Sequence, residues 1–382
     1  MEREKISKYF EDVELEGKHD GYIYKVTDII TILILGGLCG LQNVKQIHQW
    51  AASDKVSGFL KEKFAIVRVS CYFWMLTLLG MIKPASLSHC FTQWVESLLP
   101  KNYMNASNEQ SQEGKSTLSL DGKTIRSTGK MKNYKRPLHI ISAQFAELGI
   151  TYGQRAVDGK SNEIPAVQEL LKELDIRGCM VTADALNCQR ETAQTIINGG
   201  ADYLLCAKDN QEKTREAVEN YISNESNSEK IAQTTTHETS HGRDETRTAY
   251  VVNDVSWFPN DKWPELHSVG AIHRTFITDV KTTDEWHYYI CSCQLTPEEL
   301  LHHARMEWSV ETMHWLLDVR YCEDACRIHN SNIQQNMNIL RKLCINVTKI
   351  YKRDTHSKRP ISNIMFDNLL DCNMLERLLY EN

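Results

Sequence analysis

The chain has 382 residues, of which 41% are hydrophobic and 25% charged, and it carries a formal net charge of −6 with a pI near 6.2. These values are typical of a soluble globular protein with roughly two or three domains. They exclude a long disordered chain and a protein that binds nucleic acid through a wholly basic surface, so any such contact must be local.

The 12 cysteines stand in a chain whose first residues carry no secretory signal. We therefore expect free thiols in a reducing compartment, the cytoplasm. Cys291 with Cys293, and Cys322 with Cys326, lack a second pair at zinc-site spacing, so a structural zinc held by cysteines is not predicted. The most apolar run, residues 29–41, is too short to cross a bilayer, and no membrane contact is predicted.

Residues 1–100 have apolar side chains at helical spacing and predict an all-α N-terminal domain. Its helices are expected at residues 24–41, 43–52, 68–79 and 86–99. The polar stretch 101–115 has the composition of a linker, so we expect a domain boundary there.

Residues 116–382 predict a second domain, of the α/β class. Strands are expected at 116–120, 137–145, 151–157, 178–183 and 202–207, and helices at 163–174, at 188–198 and after Asn210. A meander followed by alternating strands and helices is typical of a mixed sheet flanked by helices, as in ribonuclease H-like folds. Asp121 and Asp184 directly follow predicted strands and are expected to end them.

A β-rich insertion is predicted at about residues 224–295, because a polar segment is followed by strand-like runs at 246–253, 266–278 and 286–291. A helix then begins with Thr296 as its N-cap and Pro297 in its first turn. This helix is predicted to continue through Leu317.

Asp121 lies in the sequence LSLDGKTIRS, residues 118–127, where a strongly basic stretch begins. Between positions 123 and 136 there are six lysines and arginines and no acid, with Lys123 and Arg126 closest to Asp121. An acid followed by cations indicates a site for a metal ion and phosphate. The alternative is an acid that makes a turn or capping hydrogen bond.

The predicted helix after Thr296 places Glu307, Glu311 and Asp318 near one another on one face. A solvated acidic face is the alternative interpretation. Two aspartates after strands and one helical glutamate are the ligands that two-metal phosphoryl transfer needs, because Mg²⁺ prefers carboxylate oxygens on rigid elements.

Six ordered motifs resemble the DDE transposases of the H-repeat-associated insertion-sequence family. They are LSLDGKTIR at 118–126, GKSNEIPAVQELL at 159–171, VTADALNCQ at 181–189, GADYLLCAKDNQ at 200–211, HGRDETR at 241–247 and WSVETMHWLLDVRYCEDACR at 308–327. The helical N-terminal unit resembles that family's associated domain. The resemblance therefore extends over nearly the whole chain.

The resemblance implies a ribonuclease H-like catalytic core, a β-rich insertion before the last catalytic helix, and Mg²⁺-dependent cleavage and joining of DNA at element ends, with Mn²⁺ as a substitute. It places the two catalytic aspartates at Asp121 and Asp184 and the glutamate at Glu311. It further implies terminal inverted repeats and target DNA as partners, a homodimer on DNA, and a place at the nucleoid in the bacterial cytoplasm.

The same resemblance carries over two polar motifs that are expected to line the DNA side of the site. The family's Lys-Ser-Asn-Glu falls on residues 160–163 and its Lys-x-Asn-Gln on residues 208–211. With the basic run and the motif HGRDETR, the candidate DNA contacts are Lys123, Arg126, Lys160, Asn162, Lys208, Asn210, Gln211, Arg243 and Arg247. For Arg243 and Arg247, ordinary surface charge is the alternative.

Two positions depart from the family pattern. The family usually has His before the Trp of its last motif and Asn after the catalytic Glu, whereas Glu307 precedes Trp308 and Thr312 follows Glu311 here. An acid beside the metals is expected to weaken phosphate binding. Two alternatives to an active transposase therefore stay open: a DNA-binding regulator without catalysis, derived from a transposase, and a nuclease that cuts but never joins.

Overall fold

The computed structural model describes residues 6–17, 23–99, 114–130, 137–157, 163–240, 243–259, 263–277 and 282–380. Nine strands of this part of the chain form one sheet, in the order β3-β2-β1-β4-β5-β9-β8-β7-β6. The strands are β1 (Thr117–Ile125), β2 (Leu138–Phe145), β3 (Ile150–Ala156), β4 (Met180–Ala183), β5 (Asp202–Ala207), β6 (Ala232–Ser240), β7 (Arg243–Val252), β8 (Ser268–Ile277) and β9 (Thr282–Cys291).

The first five strands confirm the predicted ribonuclease H-like arrangement. β1, β2 and β3 form an antiparallel meander, and β4 and β5 then add to β1 in parallel. Helices connect the parallel strands, as crossover connections require. Residues on β1, β4 and β5 are largely buried, because helices cover both faces of this part of the sheet.

Asp121 does not end its strand, so that prediction was wrong. β1 continues to Ile125, and Asp121 lies opposite Ser142 of β2. The parallel pairing with β4 does stop here, because its last pair is Leu120 with Ala183. The polar sequence DGK predicts a turn when it is read locally, but antiparallel pairing with β2 keeps it extended.

The β-rich insertion joins the same sheet through β9, which pairs antiparallel with β5. The strands β6 to β9 then form three antiparallel pairs in chain order. β6 was not predicted, since its sequence AQTTTHETS is polar throughout. Its threonines favour the extended backbone, and β7 supplies the pairing partner.

The helices lie at both faces of the sheet and in the N-terminal unit. They are α1 (Val26–Leu38), α2 (Val44–Ala51), α3 (Asp54–Phe64), α4 (Tyr72–Met81), α5 (Pro84–Leu98), α6 (Glu163–Glu173), α7 (Arg190–Asn198), α8 (Glu212–Ser223), α9 (Pro297–Glu307), α10 (Ser309–Tyr321), α11 (Ser331–Asp354), α12 (Ile361–Leu370) and α13 (Cys372–Tyr380). None of the described helices is long and apolar enough to span a membrane.

The helix α11 joins the N-terminal helices to the sheet. It packs against α1, α4 and α5 on one side and β3 on the other. One hydrophobic cluster contains residues of α1, α5, β1 and α11, such as Leu33, Phe91, Leu120 and Leu343. The proposed boundary at 101–115 stays a prediction, and residues 100–113 lie outside the described part of the chain.

The helix predicted from Thr296 through Leu317 is two helices. Thr296 caps α9 through a capping box with Glu299, as the sequence indicates. α9 ends at Glu307, and α10 begins at Ser309. At the junction the Trp308 N–H donates to the Arg305 carbonyl and the Glu311 N–H to the Trp308 carbonyl, so the hydrogen bonds span three residues instead of four.

Candidate active site

Strand register brings the two aspartates together. Leu120 and Ala183 are paired on the parallel strands β1 and β4, and Asp121 and Asp184 are the residues that follow them. Asp184 also caps the short 3-10 turn Ala185–Asn187, where its carboxylate accepts from the Asn187 backbone N–H. Because β1 and β4 are adjacent and parallel, and the two acids follow a pair of opposite residues, both acids lie at the same edge of the sheet.

Helix α10 carries Glu311 to the same place. His314, one helical turn after Glu311, has its Nδ1 3.3 Å from Asp121 Oδ2. Asp318, a further turn along, accepts from Lys123 Nζ of β1 at 2.7 Å. These two contacts fix the first three turns of α10 across β1, with Glu311 exposed at its beginning.

The pKa of Asp121 is affected by the other acids of the site. Burial is the largest cause that raises it to about 6, and the negative charges of Asp184, Glu163 and Glu311 contribute to the rise, against a hydrogen bond from the Gly122 N–H. Only nearby charges have such an effect. The sequence-predicted acids therefore share one electrostatic site, and Glu163 belongs to it.

Glu307 is a further acid in this site. Burial is the largest cause that raises its pKa, to about 8, and the charges of Asp184 and Asp121 add to the rise, while Lys208 opposes it. Its neighbour Met306 is held to β1, because the Ser119 hydroxyl donates to the Met306 carbonyl at 3.3 Å. The acid that stands where the resemblance predicts a His thus lies close enough for the charges of the two predicted catalytic aspartates to act on it.

The three predicted catalytic carboxylates do not form a group whose ligand oxygens all lie within 4.8 Å of one another. Repulsion between carboxylates that have no cation between them favours such a wider spacing.

A second layer of polar side chains holds Asp184 and Glu163. Asn187 Nδ2 donates to Asp184 Oδ1 at 2.8 Å and to Glu163 Oε1 at 3.1 Å. His139 Nε2 lies 3.1 Å from Glu163 Oε2, and this hydrogen bond is the largest cause that lowers the pKa of Glu163. Glu163 is therefore ionised and fixed in position.

Gly122 makes room for that layer. A Cβ atom at this position would collide with the ring of His139 and come within 3.1 Å of Glu163 Oε1. The glycine of the sequence LSLDGK therefore has a steric reason to follow Asp121: it allows His139 and Glu163 to approach the backbone of β1 closely.

The motif Lys-x-Asn-Gln lies next to Asp184, and two of its members bind protein backbone. Asn210 Nδ2 donates to the Ala185 carbonyl at 2.5 Å, and Gln211 Nε2 donates to the Cys188 carbonyl at 3.0 Å. Both amides thereby hold the segment that follows Asp184. Lys208 is exposed, and its charge acts on Asp184 and Glu307.

The other candidate DNA contacts are distributed unevenly. Lys123 is only 10% exposed and pairs with Asp318 and Asp324, whereas the Arg126 side chain is 85% exposed and has Nε 3.4 Å from Asp324. Arg247 is 14% exposed and pairs with Glu245 at 2.8 Å. Lys123 and Arg247 therefore have their charge neutralised within the protein.

Three further candidate DNA contacts lie wholly or partly outside the described part of the structure. Lys160 and Asn162 lie outside the described residues. Arg243 begins β7, where it pairs with Ser240, and its side chain is not described. The role of these three residues stays a prediction.

Several residues of the site were not assigned a role from the sequence. His139 lies on β2, and only the fold brings it to Glu163, so no local signal marks it. His314 follows Glu311 by three residues on the predicted helix, and that spacing was the available signal. Glu323, fully buried in the motif RYCEDACR, accepts from Asn338 and Arg341 and supports Lys123.

Two protein families match this chain in sequence comparisons. A family described as "Transposase DDE domain" matches residues 112–347, and one described as "DDE_Tnp_1-associated" matches residues 7–95. The chain belongs to the DDE transposases. It is thus a DDE-type DNA transposase by family, and this family uses divalent metal ions.

Relatives of this transposase include proteins of Escherichia coli. The H repeat-associated putative transposase YhhI of strain K12 is 30% identical over 351 residues, which cover 88% of each chain. The putative transposase YncI of strain O157:H7 is 35% identical over 239 residues, or 61% of each chain. A solved piggyBac transposase synaptic complex with hairpin DNA aligns with 98% of this transposase and 81% of that chain, at 12% identity and a TM-score of 0.47.

The donor atoms of the transposase site suit a hard divalent cation. Asp121, Asp184, Glu307 and Glu311 offer only carboxylate oxygens, which Mg²⁺ and Mn²⁺ prefer. Burial, and after it the neighbouring carboxylates, raise the pKa values of Asp121 and Glu307, so ionising these acids without a cation is costly. A bound cation would offset that cost, so the residues fit the metal that the family uses.

Proposed function

We propose that this protein cleaves DNA at the ends of an insertion sequence and joins the freed ends to target DNA. The observation that supports this most directly is the convergence of Asp121, Asp184 and Glu311 from β1, from the end of β4 and from the first turn of α10. Carboxylates on three separate rigid elements are the arrangement that metal-assisted phosphoryl transfer requires.

In this proposal Asp121 and Asp184 hold the metal pair, Glu311 completes the ligand set, and the metal is Mg²⁺, with Mn²⁺ as a substitute. When bound, the ions activate the attacking oxygen and neutralise charge on the leaving oxygen. His314 orients the Asp121 carboxylate. Asn187 orients that of Asp184, so both acids are preorganised before any ligand arrives.

The DNA substrate is proposed to reach the site across Lys208 and Arg126. Both side chains are exposed, and both can meet phosphate without burial of charge. The partners are the element's terminal inverted repeats and a target duplex. Holding two ends together requires a homodimer on DNA, and the reaction belongs at the nucleoid in the cytoplasm.

The test uses linear DNA that carries the gene's own flanking sequences, a supercoiled target plasmid, and Mg²⁺ or Mn²⁺. The full-length protein should nick the flanks at one position and join them to the plasmid. Asp121→Asn, Asp184→Asn and Glu311→Gln should each abolish both products. Glu229→Gln, which alters an exposed acid outside the site, should leave both unchanged.

The two alternatives give different outcomes in the same assay. A regulator without catalysis would bind the flanks, with or without the three acids, and give no cleavage product; the presence of Glu307 beside the aspartates favours this second candidate. A nuclease would cut but give no joined product, even with pre-cut ends. Undiminished cleavage by Asp121→Asn would show that the assigned carboxylates are wrong.

A further inference from the structure

A second cluster of metal-ligating side chains lies away from the carboxylate site. Glu147, in the turn between β2 and β3, approaches His302 and His303 of α9. One carboxylate oxygen and one ring nitrogen of each histidine all lie within 4.8 Å of one another. Such groups can be formed by His, Cys, Asp and Glu side chains. Among the described residues, the group with three or more ligand atoms within 4.8 Å of one another is Glu147, His302 and His303.

We propose that Glu147, His302 and His303 bind a transition-metal ion of the Zn²⁺ class, which ties α9 to the start of β1 and to the β2–β3 turn. Two imidazoles and one carboxylate, with a fourth position left for water, are a common ligand set for Zn²⁺. Mg²⁺ disfavours imidazole, so this site would not compete for the ion that the carboxylate site prefers.

The spacing is already close to what such an ion needs. Tetrahedral ligands about 2.0 to 2.1 Å from Zn²⁺ lie roughly 3.4 Å from one another. His302 Nε2 is 3.3 Å from Glu147 Oε1, so this pair already has the required separation. The remaining pairs must close by no more than about 1 to 1.5 Å, which side-chain rotation can supply.

Thr117 at the start of β1 supports two of the three ligands. Its hydroxyl donates to Glu147 Oε1 at 2.5 Å and lies 2.8 Å from His303 Nδ1, and its backbone N–H donates to the same carboxylate at 2.9 Å. Such outer contacts orient metal ligands and fix the histidine tautomer. His303 is 3% exposed, so its ring is held in place by the surrounding side chains.

The cluster is independent of the proposed reaction. Thr117 and Asp121 are four residues apart on the extended strand β1, which separates them by about 13 Å. The expected role is structural: α9 leads through Trp308 into the helix that carries Glu311, so an ion at His302 and His303 would brace that helix pair.

The test uses full-length protein with Asp121→Asn, Asp184→Asn and Glu311→Gln, so that the carboxylate site cannot contribute. After removal of metals, Co²⁺ should bind at one equivalent with the visible absorption of tetrahedral Co²⁺, and Zn²⁺ should displace it. Zn²⁺ should also raise the Tm. Adding His302→Gln or Glu147→Gln should weaken Co²⁺ binding more than tenfold and remove the Tm shift.

His329→Gln is the matched control, because His329 is an exposed histidine outside the cluster, and it should bind Co²⁺ like the parent. His302 is exposed, so His302→Gln keeps the fold and decides the question even where Glu147→Gln does not fold. The proposal is overturned by absence of one-equivalent binding, or by binding that survives His302→Gln. Since the parent protein cannot cleave DNA, neither result bears on the transposition proposal.

Discussion

His314 Nδ1 lies 3.3 Å from Asp121 Oδ2, and this contact joins the helix that carries Glu311 to the strand that carries the first of the proposed catalytic aspartates. Burial and the positive charges of Lys342 and Lys123 lower the pKa of His314 to about 3, so the ring is neutral at physiological pH. A neutral ring adds no positive charge beside Asp121. At 3.3 Å it limits the positions that the Asp121 carboxylate can take.

Replacing His314 should impair the metal site without removing a carboxylate. We expect His314→Ala to lower cleavage by about 10- to 100-fold and to raise the Mg²⁺ concentration needed for half-maximal rate, because the Asp121 carboxylate loses the ring that limits its positions. His314→Asn, which keeps a polar side chain at this position, should retain more activity. An unchanged Mg²⁺ dependence in His314→Ala would contradict this role.

The stabilisation of the protein by Mg²⁺ should depend on pH. The pKa of Asp121 is raised from 3.8 to about 6 and that of Glu307 from 4.5 to about 8, so the folded state binds protons more tightly than the unfolded state. Without metal, stability should therefore fall as pH rises from about 4 to about 8 and then level off. Thermal melts should show a larger Mg²⁺-induced rise in Tm at pH 8 than at pH 5. An equal or larger rise at pH 5 would contradict the assignment.

Glu307 should oppose the binding of DNA. Above its raised pKa of about 8 it adds a negative charge beside Asp184 and Asp121, at a position where phosphate is expected to approach. We expect Glu307→His to tighten binding of the flanking DNA about three- to tenfold at pH 9, since each 1.4 kcal/mol corresponds to a factor of ten. Fluorescence anisotropy with labelled DNA in EDTA measures this directly. Equal affinities would show that the Glu307 carboxyl is neutral in the complex or remote from the DNA.

Lys123 and Arg126 should behave differently although both belong to the basic run. Lys123 is largely buried among Asp318, Glu323 and Asp324, so Lys123→Met should destabilise the protein by about 3 kcal/mol through uncompensated buried charge. Arg126→Ala removes an exposed charge and should change the unfolding free energy by less than about 0.5 kcal/mol.

Denaturant unfolding and DNA binding separate these two roles. We expect Arg126→Ala to weaken DNA binding and to reduce its salt dependence, because a phosphate contact releases counterions. A Lys123→Met variant with wild-type stability would contradict the structural role assigned to the Lys123 ion pairs.

Gln211 should act on Asp184 through the segment between them. Its side chain donates to the Cys188 carbonyl, directly after the turn that Asp184 caps. Gln211→Ala should therefore slow cleavage about tenfold while leaving the affinity for DNA unchanged. Lys208→Ala is the matched comparison, because Lys208 is exposed in the same motif and should lower affinity. Weaker DNA binding by Gln211→Ala would instead support the hypothesis, made from the sequence, that Gln211 contacts DNA directly.

Local patterns predicted the elements whose causes are local. β5 has the predicted bounds Asp202–Ala207, and α9 begins at the predicted cap Thr296, because hydrophobic pattern and capping chemistry are contained within a few residues. Two predictions failed because their causes are not local: β6 was not predicted, and Asp121 was wrongly placed at the end of a strand. In both cases pairing with a distant strand decides the conformation of a polar sequence.

The sequence by itself determined which acids stand in the family's catalytic motifs, the order of the core strands and the polar residues around each motif. Only the tertiary structure decided that Glu163, Glu307 and His314 lie near the aspartates. It also decided that Lys123 forms ion pairs within the protein, and that the Asn210 and Gln211 side chains donate to backbone carbonyls. The reason is physical: which side chains meet across a site depends on strand register and helix packing between segments that are far apart in the chain.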